Sequence, residues 1–131
     1  MSVIEDISSF LVAQGLGVEA STLWLYQWGI NASDNGILIM QASGPPPQRF
    51  IGDTSTIKES HITILVRNTS IATAITNSNA VYAALDNAVI NGYFNCFCDQ
   101  DGPVLADKEE TQTGSGKFRY YFSINLTIKH V

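Results

Sequence analysis

The residues able to do chemistry in this chain are few, and their spacing does not assemble them. Two histidines are present, His61 and His130, and neither has an acidic residue beside it in the chain. A catalytic base needs a nucleophile and an orienting group within hydrogen-bond reach, and no linear pattern supplies the set. Cys96 and Cys98 stand two apart, so on a strand both thiols face one side; the spacings of tetrahedral zinc sites are missing, and small apolar core residues are the plainer reading. Asp99, Asp101 and Asp107 lack the regular ligand ladder of a calcium loop and read as a solvated turn. Gly114 and Gly116 precede Lys117-Phe118 rather than the Lys-Ser or Lys-Thr of a phosphate loop. Trp24, Tyr26 and Trp28 form an aromatic stripe that could stack bases, but in an acidic chain it reads as core or subunit interface. The expectation is no catalytic residue, no metal and no cofactor.

Composition narrows the partners. The chain has 131 residues, enough for one domain with one core. Apolar residues make up 45% and charged residues only 15%, a low charge content that hints at burial between subunits. With a net charge of −5 and seven Lys and Arg in all, nonspecific clamping of nucleic acid is disfavoured. No apolar run approaches the roughly 20 residues that span a bilayer, and no secretory signal is evident, so a cytosolic origin without membrane partners is expected.

The elements that must position these residues are legible from periodicity. Ser60 to Asn91 reads as a strand with Ile62, Ile64 and Val66 on one face, then, after Asn68-Thr69-Ser70, a helix with the stripe Ile71, Ile75, Tyr82, Leu85 and Val89, thickened by Ala74, Val81 and Ala88 and stopped by Gly92. Ser2 to Glu5 has the form of a capping box for a first helix running to about Ala13 and ended by Gly15. Leu23 to Trp28 and Ile37 to Gln41 read as an antiparallel hairpin joined through Asn35-Gly36. Gly44 to Pro47 is extended and stiff, and with Gln48-Arg49-Phe50 reads either as a surface connector or as an arm laid on a neighbour. Tyr93 to Cys98 suits a strand, Val104-Leu105 a short extended piece, and Asp107 to Lys117 a mobile loop. In the closing strand Phe118, Tyr120, Phe122, Ile124, Leu126 and Ile128 point one way, and Arg119, Tyr121, Ser123, Asn125, Thr127 and Lys129 the other. The economical solution is an α+β domain over residues 1–131, an antiparallel or mixed sheet covered on one face by two helices.

This order of parts resembles the tail-terminator or minor capsid (tail completion) proteins of tailed bacteriophages. The likeness rests on the amphipathic opening helix ended by Gly15, the strand Ile37 to Gln41, Gly44 to Pro47 with Arg49, the strand ending Val66-Arg67 before a long helix, and the late strand Tyr121 to Lys129. It implies a non-enzymatic virion protein at the tail end of the neck, made in the bacterial host cytoplasm. Such a protein caps the tail tube as a homohexameric ring, halts tube growth and joins the tail to a head-completion or stopper protein. Its partners would be itself, the major tail tube protein and the stopper, with double-stranded DNA passing through an acidic lumen without specific binding. On this reading Pro45, Pro46, Pro47, Arg49 and Phe50 form one contact with a subunit or partner, and Lys108, Glu109 and Glu110 in the following loop form another. Rival readings are another neck component such as a stopper or connector, a dimeric adaptor, or a small ligand-binding domain or enzyme using His61 or the cysteines.

Overall fold

The computed structural model describes residues 3–16, 23–28, 35–42, 48–49, 56–86, 95–110 and 118–130. The first helix, α1 (Val3–Ala13), carries Glu5 and Asp6 in its first turn, where the helix dipole favours negative charge. It buries Ile4, Ile7 and Leu11. Gly15, at φ +76°, closes it: the Gly15 N–H bonds the Val12 carbonyl and the Leu16 N–H the Leu11 carbonyl, each at 3.0 Å, and Leu16 packs back on the core. This is the paired closure that glycine permits at a helix end. Ser2, the proposed cap, lies outside the described residues.

Seven strands follow: β1 (Leu23–Leu25), β2 (Gly36–Ala42), β3 (Gln48–Arg49), β4 (Thr56–Asn68), β5 (Asn95–Cys98), β6 (Val104–Glu110) and β7 (Phe118–His130), with α2 (Ile71–Leu85) between β4 and β5. The main path is β1-β2-β4-β7-β5, and β6 joins the same side of the sequence of strands by pairing with β7. β4 and β7, thirteen residues each, form the spine, with Ile64 opposite Ile124. Alternation along these strands puts Ile37, Ile39, Ile62, Ile64, Val66, Ile124, Leu126 and Ile128 on one face, in one buried cluster with the apolar sides of α1 and α2. The architecture is therefore the α+β arrangement expected, a mixed sheet under two helices.

Four expectations are corrected. β1 and β2 do not form an antiparallel hairpin but pair in parallel, Leu23 beside Ile37 and Leu25 beside Ile39. Tyr26, at a φ of 68°, turns the chain out of the strand after only three strand residues while its N–H still bonds the Ile39 carbonyl at 2.8 Å. Asn35 does not turn a hairpin either: its side-chain oxygen accepts from the Thr69 N–H, tying the start of β2 to the start of α2.

The second helix begins as expected, Ser70 accepting from the Thr73 N–H, but it stops at Leu85 rather than Gly92. Asp86 takes an extended conformation and its carboxylate accepts from the Cys98 N–H, so a contact with β5 ends the helix. Ala88, Val89 and Gly92 lie outside the described residues. The buried ridge is Ala74, Ser78, Val81 and Leu85, with Ile71 and Ile75 left 44% and 43% exposed. Small residues at 74 and 78 let the helix approach the sheet closely, the Ser78 hydroxyl being satisfied by its own helix through the Ile75 carbonyl.

Finally, Asp107 to Glu110 are not loop: they belong to β6, which pairs along β7 with a bulge between Leu105 and Asp107. Residues 111–117 lie outside the described residues.

β3 adds one detail of register. Ala42 pairs with His61, and Gln48 pairs with Ile57, both antiparallel. The register therefore shifts by two between these pairs: five positions separate Ala42 from Gln48 and three separate His61 from Ile57.

Candidate interaction surfaces

Of the residues proposed for contact, Pro45, Pro46, Pro47 and Phe50 lie outside the described residues. Arg49 stands in β3 opposite Thr56. Lys108, Glu109 and Glu110 stand in β6 opposite Tyr120, Arg119 and Phe118. Arg49 and Lys108–Glu110, the described members of the two proposed groups, therefore stand on separate strands, one paired with β4 and the other with β7.

The sheet face away from the helices carries the polar chemistry. His61 lies within 3.6 Å of a Glu59 carboxylate oxygen. Glu59 is the acidic neighbour that reading along the chain passed over: on a strand, residues two apart share a face. His61 is also opposite Thr127, whose hydroxyl donates to both carboxylate oxygens of Asp99 at 2.8 and 3.0 Å. Thr63 donates to the Asn125 side-chain oxygen at 2.9 Å. These pairs hold neighbouring strands and the β5–β6 turn in place. No group of three His, Cys, Asp or Glu side chains converges on a metal position among the described residues.

The turn from Asp99 to Pro103 repairs a gap. β5 pairs with β7 as far as Leu126 and β6 resumes at Ser123, leaving the intervening β7 backbone without a strand. Gln100 fills it with its side-chain amide: Nε2 donates to the Ser123 carbonyl at 2.8 Å and to the Gly102 carbonyl at 2.6 Å, and Oε1 accepts from the Asn125 N–H at 3.3 Å. The amide acts as one more peptide unit of the ladder. The Asp99 N–H bonds the Asn125 carbonyl, and the Tyr82 hydroxyl donates to the Gln100 carbonyl at 2.6 Å, pinning the turn to α2. Burial and then the negative charges of Asp86, Cys98 and Asp101 raise the Tyr82 pKa, so the phenol keeps that donor proton beyond its ordinary range.

Replacing Gln100 by alanine strands the partly buried Ser123 and Gly102 carbonyls and the more exposed Asn125 N–H, and should cost about 2 kcal/mol in urea unfolding. Gln100→Glu should cost at least as much, because a carboxylate against the Ser123 carbonyl cannot donate. Wild-type stability in either variant would rule out the side-chain amide as part of the ladder.

At the other end of this face, the Arg67 guanidinium lies 3.6 Å from the centre of the Trp28 ring and donates to the Tyr121 hydroxyl. Arg67 is only 4% exposed. Of the aromatic stripe read in the sequence, Trp28 is thus an inward clamp and Tyr26 is 60% exposed, so the three aromatics do not form a stacking platform.

Among the described residues, two apolar surfaces remain. A cleft of about 600 Å³ opens between α1 and α2, with Val12 and Leu16 on one wall, Asn77 and Val81 on the other and Ile37 and Val66 in its floor. On the far flank of α2, Ile71 and Ile75 align with Tyr82, whose bond to Gln100 shows that this flank looks toward the β5–β6 turn. Beyond it, Val104 and Leu105 in β6 are 55% and 50% exposed. From Asn68 to Leu85 the chain carries no charged residue. Sequence reading missed this surface by assigning Ile71 and Ile75 to the core; the run of eighteen uncharged residues was its available signal.

No protein-family model matches this chain, and no curated protein does. Among solved structures, it is similar to a chain in the virion of a native gene transfer agent (GTA) particle, with a TM-score of 0.57 and 14% sequence identity. That match spans 98% of this chain and 95% of the other, so the likeness is of one whole fold to another rather than of a shared fragment.

Proposed function

We propose that this protein is a structural, non-enzymatic component of a phage-like virion, and more finely a tail terminator: a homohexameric ring that caps the tail tube, stops its growth and receives the head-completion protein. The observation that carries the reading is the end-to-end fold likeness to a chain from a gene transfer agent virion. The uncharged, partly apolar outer side of α2 and the exposed Val104 and Leu105 support it, since charge-poor apolar surface is characteristic of interface centres. In a ring each subunit uses two different patches, one for each neighbour. A chain of net charge −5 repeated around a channel would repel DNA phosphates and let the duplex pass without sticking.

The deciding experiment is immunogold labelling of intact particles from the source with an antibody against this chain. The expected result is label at the junction of head and tail. Label elsewhere on the particle would keep the virion role and remove the terminator role, and particles without label would overturn both.

A further inference from the structure

We infer that β6 is a strap that opens independently of the rest of the sheet, turning at Pro103 while its root on the Asp99–Gly102 turn stays fixed. The two sides of Pro103 differ sharply in what holds them. On the root side, Tyr82 is bonded to the Gln100 carbonyl, the Gln100 amide to Ser123, Asn125 and Gly102, and Asp99 to Thr127 and to the Asn125 carbonyl. On the strap side, the residues from Val104 to Asp107 are all exposed, and β7 is the described element against which β6 packs.

β5, on the same flank of β7, makes the contrast. It lies under α2 and sets Cys98 against the core, whereas α2 packs on β4, β5 and β7. β6 therefore gains ladder hydrogen bonds but little apolar burial, and its ladder is interrupted by the bulge after Leu105. Four successive charged residues, Asp107 to Glu110, favour solvation of its far half when released. The hinge suits motion: Pro103 has no N–H to give to β7, and at Gly102 no atom lies within 4 Å of the position a Cβ would take. Segments of this kind open at far lower free energy than the core they flank. Opening uncovers the β7 backbone from Phe118 to Ser123 on one side, while β4 continues to hold Tyr120 to Ser123 on the other. This inference rests on geometry and does not depend on the proposed function.

Residue-resolved amide hydrogen exchange of the full chain tests it. Successive β7 amides point alternately toward β4 and toward β6. The expected result is that the β6-facing amides between Phe118 and Ser123 exchange at the same rate as the bonded amides of Leu105–Glu110, at least about 100-fold faster than those of Ile62–Val66 and than the β4-facing amides of β7. The Asp99 N–H should stay in the slow group. A single rate shared by β4, β6 and β7 overturns the inference, and so does fast exchange of Asp99 together with β6.

Discussion

Ile124→Asp is expected to abolish soluble folding. Ile124 is fully buried at the centre of β7, opposite Ile64 on β4 and beneath both helices' apolar cluster. An aspartate there either carries a buried charge with no cation in the cluster or takes up a proton and leaves a buried carboxyl without partners. Each route adds several kcal/mol to the methyl groups lost, on the order of the 5–15 kcal/mol that holds a domain of this size folded. The control is its neighbour. Asn125 is exposed, accepts from Thr63 and donates to Gln100, so Asn125→Asp sets a carboxylate against the Gln100 oxygen and loses one donor at a partly solvated site. A cost of about 1 kcal/mol is expected. Urea unfolding, or solubility where the first variant fails to fold, separates them; two variants of equal stability would refute the inward and outward assignment of the strand.

Arg67→Ala should be the most damaging change on the opposite face. The Arg67 side chain is buried between the Trp28 ring and the Tyr121 hydroxyl, and it fastens the short segment after β1 to the sheet. A desolvated cation over an indole contributes about 2 kcal/mol or more, and the hydrogen bond and lost packing of the arginine stem add to that. The expected loss is about 3 kcal/mol, with a red shift and altered intensity of tryptophan fluorescence as Trp28 meets water. Arg67→Lys keeps the charge but not the flat stacking plane and should recover only part of the loss. Native fluorescence in the alanine variant would show that Trp28 is held by something else.

The contrast between these two sites explains how far the sequence could be read. Ile124 sits in an uninterrupted alternation of six apolar residues, a pattern that a half-buried strand imposes and that needs no partner to recognise. The same holds for Ile62, Ile64 and Val66 and for the Gly15 stop. Arg67 and Trp28 are thirty-nine positions apart, and nothing in either neighbourhood announces that one covers the other. Errors arose where tertiary contacts overrode a local signal. Asn35-Gly36 has the chemistry of a hairpin turn, yet its asparagine is used to hold α2, and Asp86 ends that helix because β5 is there to be bonded. Asp107 to Glu110 looked like loop because their charges outweighed pattern, whereas an edge strand tolerates charge and is protected by it. Gln100 shows the limit most plainly: a glutamine in a polar turn carries no mark of a side chain standing in for backbone.

The shift of register between the pairs Ala42–His61 and Gln48–Ile57 bears on how this chain can change length. Strand pairing has a period of two, so removing or adding two residues between Ala42 and Gln48 keeps even positions of β3 opposite odd positions of β4. One residue more or fewer inverts that parity for Gln48 and Arg49 unless a bulge absorbs it. Changes of two residues between Ala42 and Gln48 therefore leave the faces of β3 as they are, and a change of one calls for a compensating bulge.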